Sequence, residues 1–321
     1  MHMQKITLKN TWELFKDTGK GFVDNKVTKL SASLAYYTIF SLGPMLMVII
    51  FLSNLLWREQ AMEGLIYGQI KDLVGNNAAL QIQEIIKNAA ISGNNTFAAI
   101  VGFVTLLIGA TTVFAEIQDS INAIWRLKVK TDRGWLMLLK NRLLSFSLVV
   151  SMAFLLLVSL IINGLLEGFM DKLNGLFPHA AVVLIYIVNL VISLIITASL
   201  FAIIFKLLPD AVIRWKDVIV GALFTASLFM LGRFAIAFYI GNSHPGSAYG
   251  TAGSIIVLLL WIYFSAIILY FGAVFTKCYA IRFGGEITPD QYAVTTRVSL
   301  VESEKRTLQE NEQSDDGAGG D

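Results

Sequence analysis

Apolar residues in this chain come in long unbroken blocks and do not alternate with polar ones as a half-buried strand would require. The blocks cover residues 31–57, 97–115, 143–166, 181–205, 218–240 and 255–279. Each is close to the ~20 residues that a helix needs to cross the hydrocarbon of a bilayer. The last block has no charge from Ile255 to Val274. Helices and closed barrels are the structures that satisfy their backbone in lipid. The pattern therefore predicts an all-α polytopic membrane protein with six transmembrane helices. Pro44 sits inside the first span and kinks it, which neighbouring helices in a membrane tolerate.

The polar intervals divide the rest. Residues 58–95 are too polar to span, yet Ile66, Ile70 and Leu73, then Ile82, Ile85, Ile86 and Ala89, recur at helical spacing. They predict two short helices at the outer end of the bundle. Ahead of the first span, Leu8, Trp12 and Phe15 recur at four and three, with Lys9, Lys16 and Lys20 on other faces. That pattern predicts an amphipathic helix on the membrane surface. The chain thus divides into a cytoplasmic interfacial segment (1–30), a membrane domain (31–282) with an extracytoplasmic helical insertion (58–95), and an acidic tail (283–321) that reads as disordered.

Charge sets the orientation. Of the 321 residues, 55% are hydrophobic and 15% charged, and the net charge is only +2. After Phe283 there are nine acidic residues and three basic ones. Arg126, Lys128, Lys130, Arg133, Lys140 and Arg142 follow the second span. Lys206, Arg214 and Lys216 follow the fourth, and Lys277 and Arg282 close the sixth. The loops at 168–180 and 241–254 carry Lys172 as their one strong base. Basic loops stay cytoplasmic, which places both termini inside. No cleavable leader is visible before residue 31, so the first span serves as the targeting signal.

Four stretches carry a family likeness. They are SASLAYYTIFSLGPMLMVI from Ser31, FAEIQDSINAIWRLK from Phe114, KLLPDAVIRWKDVIVGALFTASLF from Lys206, and SAYGTAGS from Ser247 with the VLLLWIYFSAIILYFGAVFT that follows. In this order they resemble the YihY/BrkB family of bacterial inner-membrane proteins, some once labelled ribonuclease BN. The resemblance implies a multi-span protein of the inner membrane with cytoplasmic termini and work in the cell envelope. The chain departs from the family in two places. Val274 stands where many members carry Glu in an FGAEFT-like segment, and Arg233 stands where Lys is common.

Candidate residues fall on three of the spans. Trp261, Ser265, Gly272 and Thr276 share one face of the last span, and with Ser247, Tyr249, Gly250 and Gly253 they form a small-residue set suited to close helix packing. A substrate path along that face is the other reading. Arg233 lies about two-thirds of the way through the fifth span, where an Arg costs ~2.5–3.5 kcal/mol to insert. Either it is structurally paired or snorkelling, or it contacts an anion or a lipid headgroup. Thr112, Glu116 and Asp119 line one face at the inner end of the second span, where two carboxylates one turn apart either share a proton or cation or simply pair with nearby bases.

Enzyme signatures are missing. His2, His179 and His244 form no ligand pair, Cys278 is the single cysteine, and no phosphate-binding glycine loop occurs. No metal or other cofactor is expected, no catalytic residue is assigned, and bound nucleic acid is not needed to explain the basic loops. The expected function is that of a transporter or flippase-like factor for an anionic or amphipathic envelope solute or lipid. The alternative is a non-catalytic scaffold, self-associated or holding a cytoplasmic partner through the acidic tail.

Overall fold

The computed structural model describes residues 7–56, 96–129, 180–243, 253–285, 287–290 and 293–296. The span expected at 143–166, the insertion at 58–95, the positions Ser247, Tyr249 and Gly250, and the acidic end from 297 onward lie outside them.

Among the described residues there are six helices: α1 (Leu8–Asp24), α2 (Val27–Leu56), α3 (Thr96–Trp125), α4 (Ala180–Leu207), α5 (Trp215–Ser243) and α6 (Gly253–Phe283). At 1.5 Å per residue the 30 residues of α2 and of α3 reach about 45 Å, longer than the ~30 Å hydrocarbon. Among the described residues, three stretches, Leu190–Leu207, Trp215–Ser243 and Ile255–Phe283, are long and apolar enough to cross a membrane.

α5 and α6 are joined through a repeated local sequence. Gly221-Ala-Leu-Phe-Thr225 on α5 matches Gly272-Ala-Val-Phe-Thr276 on α6. Thr276 lies over Gly221, and Thr225 lies over Gly272. Each threonine hydroxyl donates to its own helix's glycine carbonyl at 2.7 Å, so neither hydroxyl is left unsatisfied in the seam. Phe224 and Phe275, equivalent in the two copies, stack at 3.8 Å. Ala222 and Ala273 are both buried. Small residues that let backbones approach provide the packing energy that the hydrophobic effect does not supply between membrane helices.

α1 packs along α6 and antiparallel to it. Thr7 caps its N-terminus by accepting from Asn10 N. Its end is set by Asn25, whose amide donates to Gly21 O at 2.6 Å, and by Lys26 in the left-handed region at φ 50°. Leu14 and Thr18 are buried, Gly21 faces Val274, and Phe22 meets Phe271. Arg282 near the end of α6 donates to Glu13 and to Asp17, both at 2.6 Å. The helix expected on the bilayer surface is thus fastened to the bundle along one face. Val274, the departure from the family's Glu, is 1% exposed against it.

The all-α expectation needs one addition. β1 (Leu127–Val129) pairs antiparallel with β4 (Ala293–Thr295), and β2 (Ala211–Val212) pairs with β3 (Thr288–Pro289). Both ribbons lie at the end of the bundle where α3, α4 and α6 terminate. Thr296 N continues the first ribbon with a 2.8 Å bond to Arg126 O. Residues 287–296 belong to the stretch that the sequence groups with the acidic tail. Buried Ala293 and the core-packed Ile287 give them apolar anchors that 297–321 has little of.

Candidate functional site

The polar chemistry gathers where the ribbons are. At the end of α3, Asn122 Nδ2 donates to Asp210 Oδ2 at 2.7 Å, and Gln118 Nε2 donates to the same oxygen at 3.0 Å. Asn122 Oδ1 in return accepts from Asp210 N at 3.0 Å, and the Asp210 carbonyl accepts from Asp290 N at 3.0 Å. One carboxylate in the turn after α4 therefore binds α3, while its backbone holds the segment after α6. Bonds to an ionised acceptor are about twice as strong as neutral ones.

A second carboxylate works alongside. Asp217, in the first turn of α5, is 3% exposed and suits the positive end of the helix dipole. It accepts from Arg214 Nε at 3.0 Å and from Gly285 N at 3.2 Å. A Cβ on Gly284 would come within 2.5 Å of its Cγ, so the chain leaving α6 passes too close for any side chain there. Lysines close the helix ends nearby. Lys277 donates to Ile124 O at the end of α3, and Lys206 donates to Ile213 O from a position over the Trp215 ring. Trp125 Nε1 donates to Ala273 O at 3.0 Å, fixing α3 to α6.

The residues singled out from sequence are placed differently. On α3, Glu116 and Thr112 are half-buried and Asp119 is exposed, as are Ala123 and Arg126 further along the same side. The core side of that helix is Ile117, Ser120, Ile121 and Ile124. The structure therefore keeps Glu116 and Asp119 on one side and uses Gln118 and Asn122, which the sequence reading passed over, for the carboxylate contact. Arg233 is half-buried on α5, on the side it shares with buried Ala222, Ala226 and Met230. Its guanidinium lies 5.0 Å from the Phe234 ring, and no ion pair to it occurs among the described residues. Gly253, Trp261, Gly272 and Thr276 are buried, and Ser265 Oγ is enclosed.

What signal marks the missed residues is clear in retrospect. Gln118 and Asn122 stand in EIQDSINAIW, and Asp210 in KLLPD, two of the stretches that carry the family likeness. Their partners are 88 and 92 positions away, so no local spacing joins them.

Comparison with known proteins agrees. A family model described as Virulence factor BrkB matches residues 18–295. A UPF0761 membrane protein of Pseudoalteromonas translucida is 28% identical over 88% of this chain and 88% of its own length. One from Mannheimia succiniciproducens is 25% identical over 85% of the chain and 92% of its own length. One from Ralstonia nicotianae is 25% identical over 78% of the chain, which spans only 55% of that longer protein. No solved structure matches.

Proposed function

The chain belongs to the BrkB family and is a membrane protein in contact with lipid, and from that premise we propose that it moves an anionic or amphipathic solute or lipid of the cell envelope across the bacterial inner membrane. The reading takes the chain as six spans with both termini inside. The observation that carries it is Arg233, a permanent cation on the inward-turned side of a membrane-length helix with no ion pair among the described residues. A charge so placed is costly unless something negative visits it. Glu116 and Asp119 then serve at the opposite end as the inner gate, with Thr112 beside them, and no enzymatic turnover is involved.

Proteoliposome uptake of anions and of a labelled anionic lipid tests the reading. Arg233→Ala is expected to abolish movement, and Arg233→Lys to keep part of it. If Arg233→Ala and Glu116→Gln/Asp119→Asn insert normally and leave uptake and envelope lipid composition unchanged, the transport reading is lost.

A second reading has its own observation. The two ribbons strap the ends of α3, α4 and α6 together just ahead of the acidic residues 302–321. That suits a rigid frame holding a second copy or a basic cytoplasmic partner. Affinity capture with and without residues 302–321 distinguishes it, since a stoichiometric partner lost on deletion favours the frame.

A further inference from the structure

Among the described residues, α1 keeps one face uncovered. Along α1, Leu8, Trp12, Phe15 and Val23 are 94%, 74%, 44% and 70% exposed. Their spacing puts them on a single stripe. Lys9, Lys16 and Lys20, all exposed, follow at intervals of seven and four and line one edge of it. The other face of the helix, through Leu14, Thr18 and Gly21, is already spent on α6.

Continuity identifies the cover. Phe15 meets both Phe224 and Phe275 at 6.0 Å, so α1 joins the edge of α5. From there Ile219, Leu223 and Leu231 stand exposed on a helix of membrane-crossing length. The outward side of such a helix faces acyl chains, and the α1 stripe extends that side. Lysines beside an apolar stripe lay their methylene stems on it while the ammonium stays in water. The acids nearest the row, Glu13 and Asp17, are engaged by Arg282, and Asp24 remains beside Lys20. This is also the end of the bundle where Lys206, Arg214, Lys216 and Lys277 gather, the end that basic residues assign to the anionic cytoplasmic leaflet.

We propose that α1 is a docking surface for anionic phospholipids, with Leu8, Trp12, Phe15 and Val23 against the acyl chains and Lys9, Lys16 and Lys20 on the headgroup phosphates. The site is one of binding and does not depend on whether the protein moves a solute.

Native mass spectrometry of the full chain, released from detergent in a mixture of phosphatidylglycerol and phosphatidylcholine, counts the lipids that stay bound. Wild type is expected to retain phosphatidylglycerol preferentially. Lys9→Gln/Lys16→Gln/Lys20→Gln is expected to lose about tenfold of that preference, since the ammonium groups that attract an anionic surface are gone. The matching triple Arg variant is expected to keep it, and all three proteins to melt at similar temperatures. The proposal is overturned if the Gln variant retains phosphatidylglycerol like wild type, or if the Arg variant loses it too. It is equally overturned if Trp12→Ala splits a dimer without changing bound lipid, because the stripe would then cover a second copy.

Discussion

Thr225 of α5 lies so close on Gly272 of α6 that a Cβ on the glycine would fall 2.6 Å from the threonine's Cγ2. The contact recurs with the roles exchanged at Thr276 and Gly221, where the Cγ2 distance would be 2.9 Å. The hydroxyl bonds to Gly221 O and Gly272 O hold both threonines in these positions.

Two opposing effects decide what Gly272→Ala does. Alanine favours a helix over glycine by about 1 kcal/mol, while overpacking a close seam costs about 1–3 kcal/mol. The threonine cannot turn away without giving up its hydroxyl bond, so we expect net destabilisation and a lower melting temperature in detergent. Gly221→Ala should behave alike. Adding Thr225→Ala to Gly272→Ala should restore much of the loss, and a double-mutant cycle with no coupling would contradict this.

Asp210 joins three elements through one side chain and its own peptide. Asp210→Asn keeps the shape but removes the charge and one acceptor, and should cost about 1.5–3 kcal/mol, the range for hydrogen bonds to charged groups. Asn122→Ala should cost a similar amount, and the double variant less than the sum. Faster amide exchange at Asp290, whose N–H bonds to Asp210 O, would report the same loosening.

The attachment of α1 should depend on pH. The hydrogen bond from Arg282 holds the Glu13 carboxyl below its ordinary range, with the charges of Arg282, Lys9 and Lys16 adding to the effect. A carboxyl whose pKa is depressed by folding stabilises the docked form above its unfolded value. That contribution is lost as pH falls through the folded value. Distances between spin labels on α1 and α6 should therefore broaden in acid. In Glu13→Gln the same broadening should be present in part at neutral pH, with a smaller acid response.

The helices were legible because their signal is local and long. Every block of apolar residues that falls among the described residues is a helix within a few residues of its expected bounds, except that α3 runs ten residues past 115 to Trp125. Gly272 and Thr276 stood out in the sequence as small residues on one face, whereas Gly221 and Thr225, which meet them, did not. The likeness of GALFT from Gly221 to GAVFT from Gly272, identical at four of five positions, nevertheless stood in the sequence. The Leu8, Trp12 and Phe15 stripe was visible as amphipathic. That α1 has a second, docked face needed the position of α6, since Thr18 and Gly21 are not residues that advertise burial. Asp210 and the ribbons were beyond reach, because strands of two or three residues have no periodicity and their partners are remote.

Those ribbons bear on how the molecule is made. Arg126 leaves the ribosome 170 positions before Thr296, whose backbone and hydroxyl both bond to its carbonyl. Until the last of these residues emerges, the strands after α3 and α4 have open edges. Emergence of the strands at 288–289 and 293–295 is then the clasp that closes this end of the bundle, and a nascent protein stalled after α6 would still be unfastened.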